Sequence, residues 1–410
     1  QTYFPIYIIG IGLATAAAPM IASERGRKRH SVREVRRTVR QAWWTVAAVS
    51  LPAMGILWAG EAIFLALGQQ AELAALAGTY LFAVSFAYFP ALACVVMRLF
   101  LSAMERPGWV LAITIGATFF NGFANWCLMF GNLGFPALGL PGAGWATLVT
   151  ILVMFGAYAL VVSLDRQFRR FHLFGRFWRA DWPRFAEIWR LGTPIAVTLG
   201  MEATFFTGAT LLMGLIGLAE LAAHQIALQI GALTFMVPLG LAQASTVRVG
   251  IGFGARNDDH IRRAGWTAFV LGVGFMAAMA LVIVSMPRTL IGVFLDLSDP
   301  AAAATIEAAV SFLMVAAIFQ VGDGAQVIGA GMLRGLQDTR VPMVFALVGY
   351  WVIGLAAALP LAFWFDLGGV GIWYGIAIGL FVVAVMMILR WSWRERLGLT
   401  RATPYSMQPH

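Results

Sequence analysis

Residues 303–333 read AATIEAAVSFLMVAAIFQVGDGAQVIGAGML. As an α-helix this run rises about 46 Å, more than the roughly 30 Å of hydrocarbon in a bilayer. Its charged residues are Glu307, near the start, and Asp323, well inside. A carboxylate at the centre of a spanning helix costs about 2.5–3.5 kcal/mol on insertion scales, so its default reading is functional. A second acid, Glu202, stands in the same way inside the apolar segment 187–216. These two carboxylates set the reading of the whole chain.

The rest of the sequence agrees with a membrane setting. The chain has 410 residues, is 60% hydrophobic and only 11% charged, with a mean hydropathy of +0.82. A soluble surface needs far more charge. The runs are solidly apolar rather than alternating, which excludes a transmembrane β-barrel. The sequence pI of 10.2 invites a nucleic-acid reading. The basic residues instead cluster in short loops between apolar runs, which is a topology signal, and no nucleic-acid partner is expected. Cys94 and Cys127 both lie in apolar runs and read as buried small hydrophobes. Lys28 is the only lysine, and the Ala and Gly richness points to a GC-rich bacterial source.

Apolar segments of spanning length lie near 2–22, 42–67, 75–101, 108–131, 143–164, 187–216, 221–250, 264–286, 303–333, 341–364 and 369–390. One alternate set of loops is rich in arginine: Arg25 to Arg40 with Lys28 and Arg29, Arg166 to Arg170, Arg256 to Arg263, Arg334 to Arg340 and Arg390 to Arg401. The other set, with Gln69, Gln70 and Glu72, Asn132, Gly217 to Glu220 and Asp366, holds Arg288 as its one clear cation. The arginine-rich set is therefore expected in the cytoplasm, together with the C-terminus. Eleven spans with that orientation put Gln1 outside, and the expectation is that one further span precedes it.

The two halves echo each other. Phe64-Leu65-Ala66-Leu67 resembles Phe294-Leu295-Asp296-Leu297 about 230 residues on. Ser102 to Arg106 occupies the place of Arg334 to Asp338, and Gly142 to Ala146 that of Gly369 to Trp373. The expected fold is all-α and polytopic: two six-helix lobes related by a pseudo-two-fold along the membrane normal, with eleven spans visible. Residues 1–165 would form the amino-terminal lobe, 166–186 an inter-lobe linker, 187–395 the carboxyl-terminal lobe and 396–410 a tail. Parallel repeats of this kind are a transporter signature. In the linker, Phe168, Phe171, Phe174, Phe177, Trp178 and Trp182 interleave with arginines, which suits an amphipathic surface helix or a plain tether with interfacial aromatics.

Helical spacing puts Phe319, Gln320, Gln326 and Val327 on the face of Asp323. Two amides beside a carboxylate make a polar stripe, and the glycines at 322, 324, 329 and 331 thin the helix for close approach. Arg334, about three turns away, cannot reach Asp323 along that helix. Glu202 has Thr198, Phe205 and Phe206 within a turn, and an acid beside aromatic rings suits lipophilic cations. Asn121 and Asn125, one turn apart, read either as interhelical hydrogen-bonding groups or as substrate contacts in the amino lobe. His224, near a span end, reads first as a packing or capping group and second as a proton relay. Glu61 and Glu307 fall near span ends, where solvation explains them. No Gly-x-x-x-x-Gly-Lys-Ser/Thr is present, so drive from an ion gradient is expected rather than ATP hydrolysis. No His-Glu-x-x-His or Gly-x-Ser-x-Gly constellation suggests an enzyme.

Several motifs, in order, carry a family likeness. They are Ala222-Ala223-His224-Gln225-Ile226-Ala227, Phe235 to Gly240, Val247 to Gly250, Phe319 to Gly324, Leu333 to Arg340 with Pro342, and the glycine-punctuated run Gly134 to Gly144. Together they resemble the multidrug and toxic compound extrusion (MATE) family, in its NorM-like branch, over nearly the whole chain. The resemblance implies a twelve-helix secondary antiporter, not an enzyme, that exports organic compounds against an inward flow of Na⁺ or H⁺. It implies that Glu202 and Asp323 serve a carboxyl-lobe cation site as candidate Na⁺ or H⁺ ligands. Asn125 and Thr147 match positions that accompany an amino-lobe acid carried on the first helix. Phe205, Phe206, Gln320, Gln326, Asn121 and Asn125 are the candidate substrate contacts. The expected setting is a bacterial inner membrane and a monomer, with small organic substrates and no cofactor beyond the coupling ion. The alternatives are a flippase of lipid-linked precursors and an exporter of one metabolite; acids rather than bases inside the spans favour the multidrug exporter.

Overall fold

In the computed structural model, the structure describes residues 3–27, 31–66, 68, 70–175 and 177–400. Gln1, Lys28, Arg29, Leu67, Gln69, Arg401 and the rest of the tail to 410 lie outside the described residues. Among the described residues, ten helices are long and apolar enough to span a membrane, or up to eleven with a bent pair taken as one span. That pair is α3 (Ser31–Trp58) and α4 (Gly60–Ala66), which meet at 55°. The chain divides into two units, Gln1–Ala196 and Val197–His410, and the boundary falls inside helix α9 (Trp182–Ile216).

The first unit holds α1 (Tyr3–Thr15), α2 (Ala17–Arg27), α3 and α4, then α5 (Ala71–Ala103), α6 (Pro107–Leu128), α7 (Gly139–Leu164), the four-residue α8 (Arg166–Arg169) and the start of α9. Its core is built on α5, where Tyr88, Leu92 and Phe100 are fully buried. The start of α9 joins this unit through glycine: a Cβ on Gly192 would lie 2.9 Å from the Cα of Leu13. On α6, Leu111, Ile115, Phe119 and Phe123 recur every fourth residue and are all exposed. Such a stripe suits acyl chains and would be untenable in water.

The second unit continues α9 into α10 (Leu218–Ala255), α11 (Asp258–Ser285), the short α12 (Pro287–Ile291), α13 (Ala303–Gly335), α14 (Arg340–Ala346), α15 (Leu355–Leu359) and α16 (Gly368–Ser392). Helix α13 is central and packs on α10, α11 and α16. Between Arg340 and Trp364 the chain stays helical but twice widens to π geometry, at Leu347–Gly354 and Pro360–Trp364. This helix and α16 meet backbone to backbone. A Cβ on Gly375 would collide with Ala358, and one on Gly379 would lie 2.7 Å from the Gly349 carbonyl oxygen.

The sequence repeat is visible in the backbone. Helix α5 ends with Glu105 in the left-handed region (φ 59°), and α13 ends with Gln337 there (φ 62°). In both, the next amide reaches back to close the turn: Arg106 N to Leu101 O and Asp338 N to Leu333 O, each 3.0 Å. This is the C-terminal cap in which a left-handed residue satisfies the last carbonyls. Each turn is also pinned by an ion pair of 2.5 Å, Arg25 to Glu105 in one unit and Arg390 to Asp338 in the other. Gly139 (φ 59°) and Asp366 (φ 56°) are a second matched pair, just before the Gly142 and Gly369 repeats.

The segment 165–181 is not an amphipathic helix. After α8 its described residues run as turns: some close locally, as Phe171 N does onto Phe168 O (2.9 Å), while other carbonyls accept from side chains of α3. Arg40 Nη2 donates to His172 O (3.4 Å), Gln41 Nε2 to Arg179 O (3.2 Å) and Trp44 Nε1 to Phe177 O (2.8 Å). Phe168 and Phe171 turn inward, edge-on to Phe100 at 5.8 and 5.4 Å. The segment is a strap fastened to the first unit, more than a tether.

A polar cluster inside the second unit

Three helices of the second unit bring polar groups together. Asp323 lies on α13, 6% exposed, with Gln320 and Gln326 at 1% and 2%. Gln320 Oε1 accepts a hydrogen bond of 2.8 Å from Thr234 Oγ1 on α10. Glu202 lies on α9, half-buried, and its charge acts on Asp323. The stripe expected from helical spacing thus exists, and the two acids from distant segments share one neighbourhood.

Two members of the cluster were not read from the sequence. Arg334, also on α13, is charge-coupled to Glu202 across to α9. Helical rise keeps it from Asp323 along α13, but α9 runs close enough to bring Glu202 within its field. Tyr350 is fully buried and stacks on Phe205, centroids 5.5 Å apart and planes at 15°. Its hydroxyl lies within charge range of both acids. Tyr350 sits in the first π segment, whose wider turn shifts the angle at which side chains leave the helix. No apolar periodicity signals such a segment in advance.

The aromatic neighbours of Glu202 divide. Phe205 is 5% exposed and committed to the core through Tyr350. Phe206 is half-buried, edge-on to Phe319 at 6.1 Å. His224 is fully buried, with Nε2 3.2 Å from Thr210 Oγ1 and its ring edge-on to Trp373 at 5.5 Å, a packing arrangement. Glu61 and Glu307 are exposed. In the first unit, Asn121 Nδ2 donates to Thr150 Oγ1 (3.1 Å), and Asn125 Nδ2 donates to Asn121 Oδ1 (3.1 Å). Thr147 donates back to Ala143 O on its own helix (2.9 Å). Both asparagines are half-buried.

The cluster's chemistry follows from its unsatisfied atoms. Asp323 Oδ1, Gln326 Oε1, Gln320 Nε2 and the Tyr350 hydroxyl are buried without a hydrogen-bonding partner in the protein. Leaving such a group unpaired costs about 1–3 kcal/mol each, so these atoms call for a partner from outside the protein, whether water, proton or ion. Carboxylate and amide oxygens suit a proton or a hard cation such as Na⁺, and the amide nitrogen supplies a donor. Among the described residues, no group of three or more His, Cys, Asp or Glu is placed to hold a metal ion.

Sequence comparison completes the description. The MatE family profile matches residues 1–127 and 194–359. The probable multidrug resistance protein NorM of Mesorhizobium japonicum is 55% identical over 396 residues, covering 97% of this chain and 85% of the relative. The multidrug resistance protein NorM of Burkholderia vietnamiensis is 38% identical over 400 residues, covering 96% and 84%. The fold matches a crystal structure of MATE in complex with MaD3S (TM-score 0.86, 18% identity, 97% and 86% covered). It also matches the eukaryotic MATE transporter AtDTX14 (TM-score 0.83, 20% identity, 96% and 86% covered). With both halves matched in order and a relative 55% identical over 97% of this chain, the chain belongs to the MatE family of membrane transporters.

Proposed function

We propose that this transporter exports lipophilic, cationic organic compounds in exchange for Na⁺ or H⁺ by alternating access, with Glu202 and Asp323 as its carboxyl-lobe coupling site. The observation that carries the reading is the buried cluster of Asp323, Gln320, Gln326 and Tyr350, each with an unpartnered polar atom, beside Glu202. An excess carboxylate in such a place binds a cation or a proton, and a cationic substrate competes with it for the same charge. That competition is a physical basis for exchange. The multidrug names of the relatives support the substrate class. The arginine-rich loops support a cytoplasmic C-terminus in a bacterial inner membrane.

The acid balance favours an exporter over a flippase of anionic lipid-linked precursors. Arg334 brings one positive charge to the cluster, but Glu202 matches it and Asp323 remains in excess. The test is ethidium efflux from cells lacking their main pumps, comparing wild type with Glu202→Gln and Asp323→Asn. Efflux is expected to fail in Asp323→Asn and to fall in Glu202→Gln; undiminished efflux in both removes the site assignment. Replacing external Na⁺, or collapsing the pH gradient, identifies the coupling ion.

A further inference from the structure

The strap 165–181 has a chemistry that transport does not use. Its acids are already engaged: Asp165 accepts from Gln167 N (2.8 Å), and Asp181 pairs with Arg37 on α3 (2.5 Å). Its described arginines have no acid partner, although Arg170 lies over the Phe171 ring at 5.2 Å. Arg166, Arg169, Arg170 and Arg179 are exposed, and among the described residues none makes an ion pair. Because Arg40, Gln41 and Trp44 hold the strap's carbonyls, and Trp43 stacks on Phe174 at 5.1 Å, these cations project from a fixed frame.

Beside them a cleft of about 160 Å³ opens between the end of α7 and the strap. Ser163, Arg169 and His172 give it polar walls; Val162 and Phe174 give it apolar ones. His172 holds the left-handed backbone region (φ 43°), rarely adopted by residues other than glycine. Gly175 N closes that turn onto His172 O at 3.0 Å. The same last turns of α7 expose Leu160 at 60% and Leu164 at 72%. Trp178 and Trp182 on the strap side are exposed at 67% and 64%, as tryptophans at a membrane interface are.

Cationic donors around a small cleft, continuous with an exposed apolar helix end, match the two halves of one kind of molecule. We infer that this cleft binds an anionic phospholipid, its phosphate held by Arg169, His172 and Ser163 and its acyl chains lying along Leu160 and Leu164. The guanidinium fork fits phosphate oxygens two at a time. Arg166 and Arg170 add field without having to touch the headgroup. The bound lipid would anchor the strap, and with it the entry to α9, to the bilayer.

The test uses the full chain in nanodiscs of phosphatidylcholine with phosphatidylglycerol, followed by native mass spectrometry of the lipids it retains. Wild type is expected to keep phosphatidylglycerol in preference to phosphatidylcholine. Arg166→Gln/Arg169→Gln/Arg170→Gln is expected to lose that preference by about fivefold per arginine, the equivalent of about 1 kcal/mol each. The single variant Arg169→Gln, with one surface charge removed, reads the same ratio if the triple variant folds poorly, and is expected to fall about fivefold. Equal retention of the two lipids by wild type, or an unchanged preference in both variants, overturns the proposal. So does full displacement by inorganic phosphate, which would mean an anion site with no role for the acyl chains.

Discussion

Arg334 shares helix α13 with Asp323, yet its charge acts on Glu202, a residue of α9. Asp323 in turn feels the charge of Glu202. The cluster thus holds two acids and one cation, leaving one negative charge in excess. The two carboxylates look equivalent in sequence but differ in their surroundings. Glu202 is half-buried within the field of Arg334, and Asp323 is the more deeply buried of the two, with Oδ1 unpartnered in the protein.

The attraction has a signature in stability. Glu202 and Arg334 are both half-buried and attract each other through space without forming an ion pair, so removing either charge is expected to cost about 1 kcal/mol or less, and removing both less than the sum. Glu202→Gln and Arg334→Gln are each expected to lower the melting temperature of the purified protein, and the double variant to lose less than the two together. Fluorescence-detected thermal unfolding in detergent measures it. Additive losses in the double variant would show that the two side chains do not interact.

Asp323→Asn is expected to behave in the opposite way. With its carboxyl buried and Oδ1 unpartnered in the protein, neutralising this acid removes a burial penalty on the order of 2.5–3.5 kcal/mol. The variant should melt at or above the wild-type temperature while coupled efflux is lost. A variant that both unfolds early and fails to transport would mean that Asp323 is a structural residue.

Tyr350→Phe separates the ring from the hydroxyl. The stack on Phe205 survives the change, and a buried unpaired hydroxyl is removed, so stability is expected to hold or rise by about 1 kcal/mol. If the hydroxyl serves substrate or ion, efflux falls several-fold with the protein level unchanged on a blot. Wild-type efflux in Tyr350→Phe would confine Tyr350 to packing.

The acids were legible because charge in an apolar run is an energetic anomaly within a single segment, and the amides of α13 because helical spacing is local. The cap repeat at Glu105 and Gln337 was legible as matching pentapeptides although neither residue is a glycine. What escaped was non-local or lacked a periodic signal. Spacing along one helix says nothing of Arg334's approach to Glu202, which lies on another. Tyr350 depends on a π turn inside an unbroken apolar run. The strap alternates arginine and aromatic residues as a surface helix would, but its carbonyls are held by α3, and that competition is visible only in three dimensions.

The strap's attachment depends on pH in a direction that the charges fix. Burial works against ionised Asp181, but the hydrogen bond and charge of Arg37, with Arg184 behind it, outweigh this and hold its carboxyl below the usual range. A carboxyl lowered on folding stabilises the fold above its unfolded pKa, and that gain is lost as pH falls through the lowered value. Asp181→Asn is therefore expected to cost about 1 kcal/mol at neutral pH, allowing for the partly exposed Arg37. The difference from wild type should shrink below about pH 4. Melting curves of both proteins across pH 3–8 test this; a constant gap would mean that Asp181 acts through its shape and not its charge.

Close helix packing around the cluster is the last point open to a direct test. A Cβ on Gly331 of α13 would stand 2.6 Å from the Ala242 carbonyl oxygen of α10, and neither backbone can yield without moving the helix that carries Asp323. Gly274 of α11 faces open space. Helix propensity alone favours alanine at either position by about 1 kcal/mol. Gly274→Ala is thus expected to be neutral or slightly stabilising. Gly331→Ala is expected to lose that gain and a further 1–3 kcal/mol, roughly the cost of overpacking a filled interior. Because the strain lies between α10 and α13, it should also disturb the Thr234–Gln320 hydrogen bond, so efflux should drop further than the melting temperature alone would suggest. Equal melting temperatures and equal efflux in the two variants would mean that α10 and α13 are not in backbone contact.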